Sequence, residues 1–178
     1  EFARQGAEVE LILGPSEQQC VHPNINLHNV ESAQQMYEKV RELFSDMQIS
    51  VFSAAVSDYT ILNKRNNKIK KTEETLSLSL KKTKDILLEM SMLKSEKQFI
   101  VGFALESDNE VYNAKLKLKN KSLDMIVMNS LNDEGAGFGY DTNKVTVISR
   151  KGDVNLFELK SKKDVAKDIV DLVIRDFL

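Results

Sequence analysis

The segment from Ile49 to Val56 constrains the fold of this chain more than any other. It shows no strict alternation of apolar and polar residues, and it ends among the small residues Ser53, Ala54 and Ala55. A largely apolar run of this length is typical of a parallel strand that is covered on both faces. We therefore predict a buried parallel strand over 49–56, with a ligand site beyond its carboxyl end.

Strand and helix patterns alternate along the rest of the chain. Three segments have a serine followed three residues later by a glutamine or an acid, which is the capping-box pattern of a helix start: Ser32 with Gln35, Ser107 with Glu110 and Ser161 with Asp164. The predicted strands are 7–13, 25–28, 49–56, 99–104, 125–128, 144–149 and 155–159, and a further helix covers about 84–93. This order predicts an α/β sheet whose last two strands form an antiparallel edge hairpin.

One segment does not fit that alternation. Leu76 to Leu80 alternates between leucine and serine, so one of its faces is expected in solvent. A basic run with no acid precedes it: Lys64, Arg65, Lys68, Lys70 and Lys71. We predict that residues from about 64 to 80 form a protruding arm or hairpin.

Composition excludes several classes of protein. The chain has 178 residues, 42% of them hydrophobic, which is enough for one domain with a sizeable core. A net charge of −2 argues against nucleic acid as a partner. The single cysteine, Cys20, excludes an intramolecular disulfide, and the chain has no long apolar run and no signal-peptide pattern. We expect a cytoplasmic protein with no membrane contact, and His22 and His28 lack the spacing of a metal site.

The residues after the 49–56 strand suggest chemistry. Asp58 lies where a carboxylate can accept hydrogen bonds from ribose hydroxyls, and the lysines of 68–71 can meet phosphates or a carboxylate of the same ligand. The alternative is structural, with Asp58 in an Asx turn or helix cap and the lysines in a solvated loop. Taken alone, these residues favour the structural interpretation.

Two further patterns have competing interpretations. On a helix, Lys117 and Lys121 share one flank and Lys115 and Lys119 the other, and each pair can simply border a core. The glycine-rich segment 135–139 lies between two strands instead of opening a helix, so a tight loop that packs Phe138 is favoured over a phosphate site.

Several short motifs occur in one order and together resemble a known family, phosphopantothenate-cysteine ligase. They are Gly6 to Val9, Gly14-Pro15, Ala54 to Tyr59, Lys68 to Lys71, Lys84 to Leu87, Val101 to Glu106, and Lys117 to Asn129 with Lys121, Asp124, Ile126 and Val127. The resemblance covers the chain from its first residues to its last helix. It implies a Rossmann-like three-layer α/β fold with a mostly parallel sheet, an antiparallel C-terminal hairpin and a protruding arm, all in one domain over 1–178.

The resemblance also implies an activity. The family joins 4'-phosphopantothenate to cysteine in coenzyme A synthesis, and its bacterial members use CTP with Mg²⁺ through an acyl-cytidylate. It implies Lys68 as the residue nearest the chemistry. The implied nucleotide contacts are Phe52, Ser53, Ala54, Ala55, Asp58, Lys68, Lys84, Asp85, Ile86, Leu87, Phe103, Lys117 and Lys121, and no metal ligand is assigned.

The partners follow from the same resemblance. We expect a homodimer in which the arm reaches the partner subunit, and many relatives have a flavin-dependent decarboxylase upstream. The family's first strand and its glycine- and threonine-containing turn have no counterpart here, so the numbering begins inside a longer protein or the domain is truncated. One alternative is a noncatalytic nucleotide-binding or dimerisation domain of the same family. Another is a nicotinamide-dependent oxidoreductase, but the glycine fingerprint expected of that class is missing from this sequence.

Overall fold

A computed structural model describes residues 1–63, 67, 75–133, 135–137 and 139–178. Its central sheet has five strands in the order β3-β6-β7-β8-β9. Their bounds are β3 Ile49–Phe52, β6 Phe99–Glu106, β7 Met125–Ser130, β8 Thr142–Ser149 and β9 Val154–Ser161. The pairs β3/β6 and β6/β7 are parallel, whereas β7/β8 and β8/β9 are antiparallel. The predicted sheet and its edge hairpin are confirmed.

Two smaller sheets complete the strands that the structure describes. β1 (Val9–Leu13) pairs in parallel with β2 (Ile25–Asn29). β4 (Tyr59–Ile61) pairs with β5 (Leu80–Lys82) as an antiparallel hairpin, which forms the base of the predicted arm. Of the alternating segment Leu76 to Leu80, only Leu80 belongs to a strand of this hairpin. Residues 64–66 and 68–74 lie outside the described residues.

The helices form two outer layers around the central sheet. Their bounds are α1 Ala33–Leu43, α2 Ile86–Leu93, α3 Glu110–Asn120 and α4 Lys162–Phe177. Residues of α1, α2 and α3 pack with Ile100, Ala104 and Ile126 in one core cluster. Residues of α4 pack with Phe99, Val101 and Val127 in a second cluster. The alternation of side chains along β6 feeds both clusters, and the three-layer architecture is confirmed.

Two of the three predicted serine N-caps are present. The hydroxyl of Ser32 accepts a hydrogen bond from Gln35 N at 3.3 Å, and that of Ser161 accepts one from Asp164 N at 3.2 Å. The third prediction is wrong, because α3 begins after Asn109, which has a φ of 46° and no side-chain cap bond. Asparagine tolerates this left-handed conformation better than most residues.

The strand after residue 49 is shorter and less buried than predicted. β3 ends at Phe52, its residues are half-buried or exposed, and Val51 is 39% exposed. The cause is its position, since β3 is an edge strand of the central sheet in the part of the chain that the structure describes. Parallel pairing is confirmed, but coverage of both faces is not. No helix of the described residues is long and apolar enough to cross a membrane.

Candidate nucleotide site

The candidate site lies beside the carboxyl ends of β3 and β6, on the face that α2 and α3 cover. The loop Ser53 to Asp58 follows β3, and Glu106 is the last residue of β6. The amino end of α2 and one flank of α3 lie on the same side of the sheet because both helices contribute to the first core cluster. Ligands of parallel sheets bind at this kind of edge.

The amino end of α2 is fixed by Asp85. Its Oδ1 accepts a hydrogen bond from Leu88 N at 3.0 Å, so Asp85 is the N-cap of the helix. Its Oδ2 accepts one from the Lys121 ammonium at 2.7 Å. Two segments that are 36 residues apart in sequence therefore meet at one point of the candidate site. The neighbouring Lys84 has its ammonium 3.8 Å from the ring centroid of Tyr37 in α1.

The two lysine flanks of α3 have different surroundings. Lys117 forms an ion pair with Glu106 at 2.6 Å, and Lys121 forms the pair with Asp85. Lys115 and Lys119 are exposed, and no ion pair between described residues includes either of them. Only the 117/121 flank faces the acids of β6 and α2, so the helical spacing separates the lysines into two chemically different pairs.

The loop after β3 contains Asp58, the residue whose carboxylate is expected to bind ribose hydroxyls. Asp58 is exposed, and no side-chain hydrogen bond between described residues involves its carboxylate, which excludes an Asx turn or helix cap within that part of the chain. Its backbone carbonyl accepts from Thr83 N at 2.9 Å, which ties the loop to the strand leaving the arm. Ser53, Ala54 and Ala55 are exposed. The loop therefore offers a carboxylate and backbone groups to a ligand.

Three predicted site residues need separate comment. Lys68 lies outside the described residues. Phe103 packs against the α4 cluster, so its ring is on the sheet face opposite α2 and α3. Leu87 packs against the first cluster, and its side chain would meet a Cβ added at Gly102 at 3.0 Å. Leu87 and Phe103 can reach a ligand at this edge through their backbone.

A polar network at the end of β7 was not predicted from the sequence. The carboxylate of Glu110 accepts hydrogen bonds from the Ser130 hydroxyl and, at 3.1 Å, from the Asn132 amide. Lys144 donates to Asp133 at 2.8 Å in the loop that follows, and that hydrogen bond raises the pKa of the Lys144 ammonium. The Glu110 bonds hold the start of α3 against β7.

The glycine-rich segment lies between β7 and β8, as predicted. Gly135, Gly137 and Gly139 all have positive φ, and the Thr142 hydroxyl donates to the Gly135 carbonyl at 2.6 Å. Phe138 is outside the described residues, so its predicted packing stays a prediction.

Comparison with known proteins gives the family. Residues 1–177 match the C-terminal domain of the DNA/pantothenate metabolism flavoproteins. The chain belongs to this family. One similar solved structure is the crystal structure of the C-terminal domain of the coenzyme A biosynthesis bifunctional protein CoaBC, with 31% sequence identity and a TM-score of 0.79. The match covers 97% of this chain and 76% of that one. A mutant of Cab2 in complex with phosphopantothenate-cysteine is 20% identical with a TM-score of 0.63, over 86% of this chain and 53% of that one, and shares the fold.

Relatives that are longer than this chain are named for two different activities. The CoaBC protein of Haemophilus influenzae is 38% identical over 99% of this chain and 43% of its own length. A cysteine/cysteine sulfinic acid decarboxylase from an unknown prokaryotic organism is 45% identical over 94% of this chain and 47% of its own length. The chain thus spans less than half the length of these relatives.

Proposed function

We propose that this chain is a phosphopantothenate-cysteine ligase domain that uses CTP. The observation that supports this most is the meeting of sequence-distant segments at one sheet edge, where the ion pairs Lys121 to Asp85 and Lys117 to Glu106 join α3 to α2 and β6. Membership in the pantothenate flavoprotein family and the similarity to CoaBC support the same substrate class. The substrates are 4'-phosphopantothenate, cysteine and CTP.

The proposed reaction has two steps. The carboxylate of phosphopantothenate attacks the α-phosphorus of CTP, and the bond to pyrophosphate breaks to give an acyl-cytidylate. The amine of cysteine then attacks the acyl carbon, loses a proton and displaces CMP, which leaves the amide.

The residues have distinct roles in this proposal. Asp58 binds the ribose hydroxyls, and Lys117 and Lys121 face the triphosphate. Lys68 stabilises the charge that develops during attack on the α-phosphate.

Magnesium fits this chain only as a companion of the triphosphate. No group of three or more His, Cys, Asp or Glu side chains in the described ranges has the arrangement of a metal site. Mg²⁺ that is carried by substrate phosphates needs only one or two carboxylates from the protein. We therefore assign it no ligand set, and its contribution is to neutralise phosphate charge.

The arm supports the proposed homodimer. Tyr59, Ile61 and Leu80 lie on one face of the hairpin, because Ile61 is paired with Leu80 and side chains two residues apart share a face. They are 54%, 39% and 56% exposed, and Leu78 and Leu76, which precede Leu80 at intervals of two residues, are exposed to a similar extent. A second copy of this chain is the proposed occupant of this apolar stripe, which matches the role that the arm has in the family.

Two further proposals concern context. A flavin-dependent decarboxylase domain upstream agrees with the bifunctional name of the CoaBC relatives and with their greater length. The family resemblance supports a cytoplasmic location for the reaction.

The test of the ligase proposal is product analysis with labelled substrates. The purified protein is given phosphopantothenate and ¹⁴C-cysteine with CTP or ATP, and we expect labelled amide and pyrophosphate with CTP. Lys117→Ala and Lys121→Ala should each raise KM for CTP. Lys115→Ala and Lys119→Ala are matched controls that should not. Equal effects from all four would reduce the α3 claim to nonspecific electrostatics.

Lys68 has its own test within the same assay. Lys68→Gln should keep CTP bound but slow pyrophosphate release before cysteine is added, by about 10²- to 10³-fold, as expected when one preorganised charge is removed. A normal burst in rapid-quench experiments would remove Lys68 from the activation step.

A second candidate function is a nucleotide-binding or dimerisation domain without ligase activity. The relative with 45% identity is named a cysteine/cysteine sulfinic acid decarboxylase, which is a different activity. This candidate predicts CTP binding or dimer formation with no pyrophosphate release in the presence of all three substrates.

A further inference from the structure

Glu106 is a buried acid at the edge of the candidate site. Its side chain is 9% exposed, although it is the last residue of β6. Its backbone carbonyl accepts from Leu131 N at 2.9 Å, which fixes the end of the strand against the segment after β7. The strand alternation directs Glu106 to the same face as Ile100 and Ala104, which is the face that α3 covers. The carboxylate is therefore held in one place by the sheet.

Lys117 compensates the charge of this carboxylate. Its ammonium lies 2.6 Å from Glu106 Oε1, so the two groups form an ion pair. The Lys117 side chain is 48% exposed, so its other side faces solvent. An ammonium has three donors, and this one keeps donors for a further acceptor.

The Lys117 to Glu106 pair differs from the other ion pairs at this edge in how much each partner is exposed to solvent. In the Lys121 to Asp85 pair the acid is the more exposed partner, at 45% against 27%. In the Lys144 to Asp133 pair both partners are exposed by a quarter or more. Among the lysine ion pairs of the described residues, that of Lys117 is the one in which a nearly buried acid holds a half-exposed ammonium. A buried carboxylate is poorly screened, so it restrains the ammonium more strongly than a surface acid does.

We propose that Glu106 is a positioning residue that holds the Lys117 ammonium where it meets the triphosphate. This inference rests on the proposed function and deepens it. Glu106 does not contact the nucleotide. It restrains a long flexible side chain before the nucleotide arrives, and Lys117 then bridges the carboxylate and a phosphate oxygen. Preorganisation of this kind acts on the rate of phosphoryl chemistry more than on ground-state affinity.

Glu106→Gln tests the proposal because it keeps the shape and removes the charge. We expect kcat to fall about 10- to 100-fold, since misplacement of a reacting group by ~1 Å can cost about 10²-fold. KM for CTP should stay constant or fall, because a negative charge near the triphosphate is lost. In a Lys117→Gln background the Glu106→Gln change should have no further effect on kcat. Asp133→Asn, which breaks the Lys144 pair, is the control and should leave kcat unchanged.

Other outcomes would overturn the proposal. A purely structural role would raise KM, lower kcat and lower the melting temperature together, and Glu106→Asp, which keeps the charge, would then give no partial recovery of kcat. Unchanged kcat in Glu106→Gln would also refute it.

A second measurement separates this inference from the ligase proposal. The ¹³Cε resonance of Lys117, assigned by loss in Lys117→Arg, should report a restrained side chain in the wild type and a mobile one in Glu106→Gln, with no substrate present. If the wild type makes no amide but this difference is seen, the ligase proposal fails and the restraint stands. If amide forms but the resonance is the same in both proteins, the positioning proposal fails.

Discussion

Asp124 gives the sharpest stability prediction because it joins three elements beneath β6 and β7. Its Oδ2 accepts a hydrogen bond from the Lys94 ammonium and another from Ile100 N at 2.7 Å. Its Oδ1 lies 3.5 Å from the guanidinium of Arg150. Lys94 and Asp124 are only 10% and 13% exposed, whereas Arg150 is 63% exposed. The Lys94 pair therefore dominates, and the Arg150 contact is screened by solvent.

Asp124→Asn should be strongly destabilising. The amide oxygen can still accept from Ile100 N, but the Lys94 ammonium loses the only acidic partner that it has among the described residues. Removing one partner of a buried pair typically costs ~3–5 kcal/mol, and the residual exposure of both groups lets Lys94 turn toward water, so we expect a loss of about 3 kcal/mol. Lys94→Met leaves Asp124 with the Ile100 and Arg150 contacts and should cost less.

The assay is urea unfolding followed by circular dichroism. Asp124→Asn should lower the midpoint without changing the slope. In the double variant with Lys94→Met the cost should fall well below the sum of the single costs, because no buried charge is then left unpaired. Asp133→Asn, in a more exposed pair, should cost less than about 1 kcal/mol. Additive costs for Lys94→Met and Asp124→Asn, or a loss under about 1 kcal/mol for Asp124→Asn, would refute this reasoning.

Three other predictions follow from the structure. Gly102→Ala places a Cβ 2.8 Å from Leu123 Cδ1, so we expect the free energy of unfolding to fall by about 1–2 kcal/mol after the entropic benefit of alanine is subtracted. An unchanged urea midpoint would contradict this packing argument. The pKa of the Glu10 carboxyl lies below its ordinary value of 4.5, chiefly because Asn26 donates a hydrogen bond to it, so the stability that this group adds is present above pH 4.5 and is lost as the pH falls through the folded-state pKa. Acid titration of Glu10→Gln should therefore show a shallower loss of stability below pH 4.5 than the wild type, and identical curves would count against it. Asp58→Asn should weaken CTP binding by about 1.5–3 kcal/mol in calorimetry, because an amide offers one acceptor oxygen where a carboxylate offers two, and unchanged affinity would return Asp58 to a loop role.

Features fixed by local interactions could be predicted from the sequence. The caps at Ser32 and Ser161 need only a side chain and a backbone N–H three residues away, and both are present. The last hairpin is encoded by two strand patterns and by Gly152, whose φ of 99° suits a tight turn. Such signals lie within a few residues, so no knowledge of the tertiary structure is needed to use them.

The failed cap at Ser107 shows where local signals stop. The pattern from Ser107 to Glu110 requires the glutamate to reach back to the start of the helix. In the structure Glu110 accepts from Ser130 and Asn132 instead. These partners come from the end of β7, which the sequence pattern of α3 does not include. A tertiary contact of this kind overrides a local preference that is worth only about 1 kcal/mol.

The sequence predicts only part of the candidate site, again because the rest depends on tertiary contacts. Helical spacing separates Lys117 from Lys119, but it does not say which acid each lysine meets, because that depends on which elements lie beside α3. A usable signal was nevertheless present in β6. Glu106 is an even number of residues from the buried Ile100 and Ala104 on the same strand, so its side chain is expected on the same covered face.

The same alternation limits what the resemblance can assign to Phe103. Phe103 and Glu106 are three residues apart on one strand, so their side chains lie on opposite faces of the sheet. Glu106 is on the face with α3 and its lysines, and the Phe103 ring packs toward α4. A ligand bound between α2 and α3 therefore meets Phe103 through its peptide groups, while the side-chain chemistry of β6 on that face comes from Glu106. The nucleotide contact that the resemblance implies for Phe103 thus depends on the backbone of the strand, which any residue at position 103 with the same strand geometry would supply.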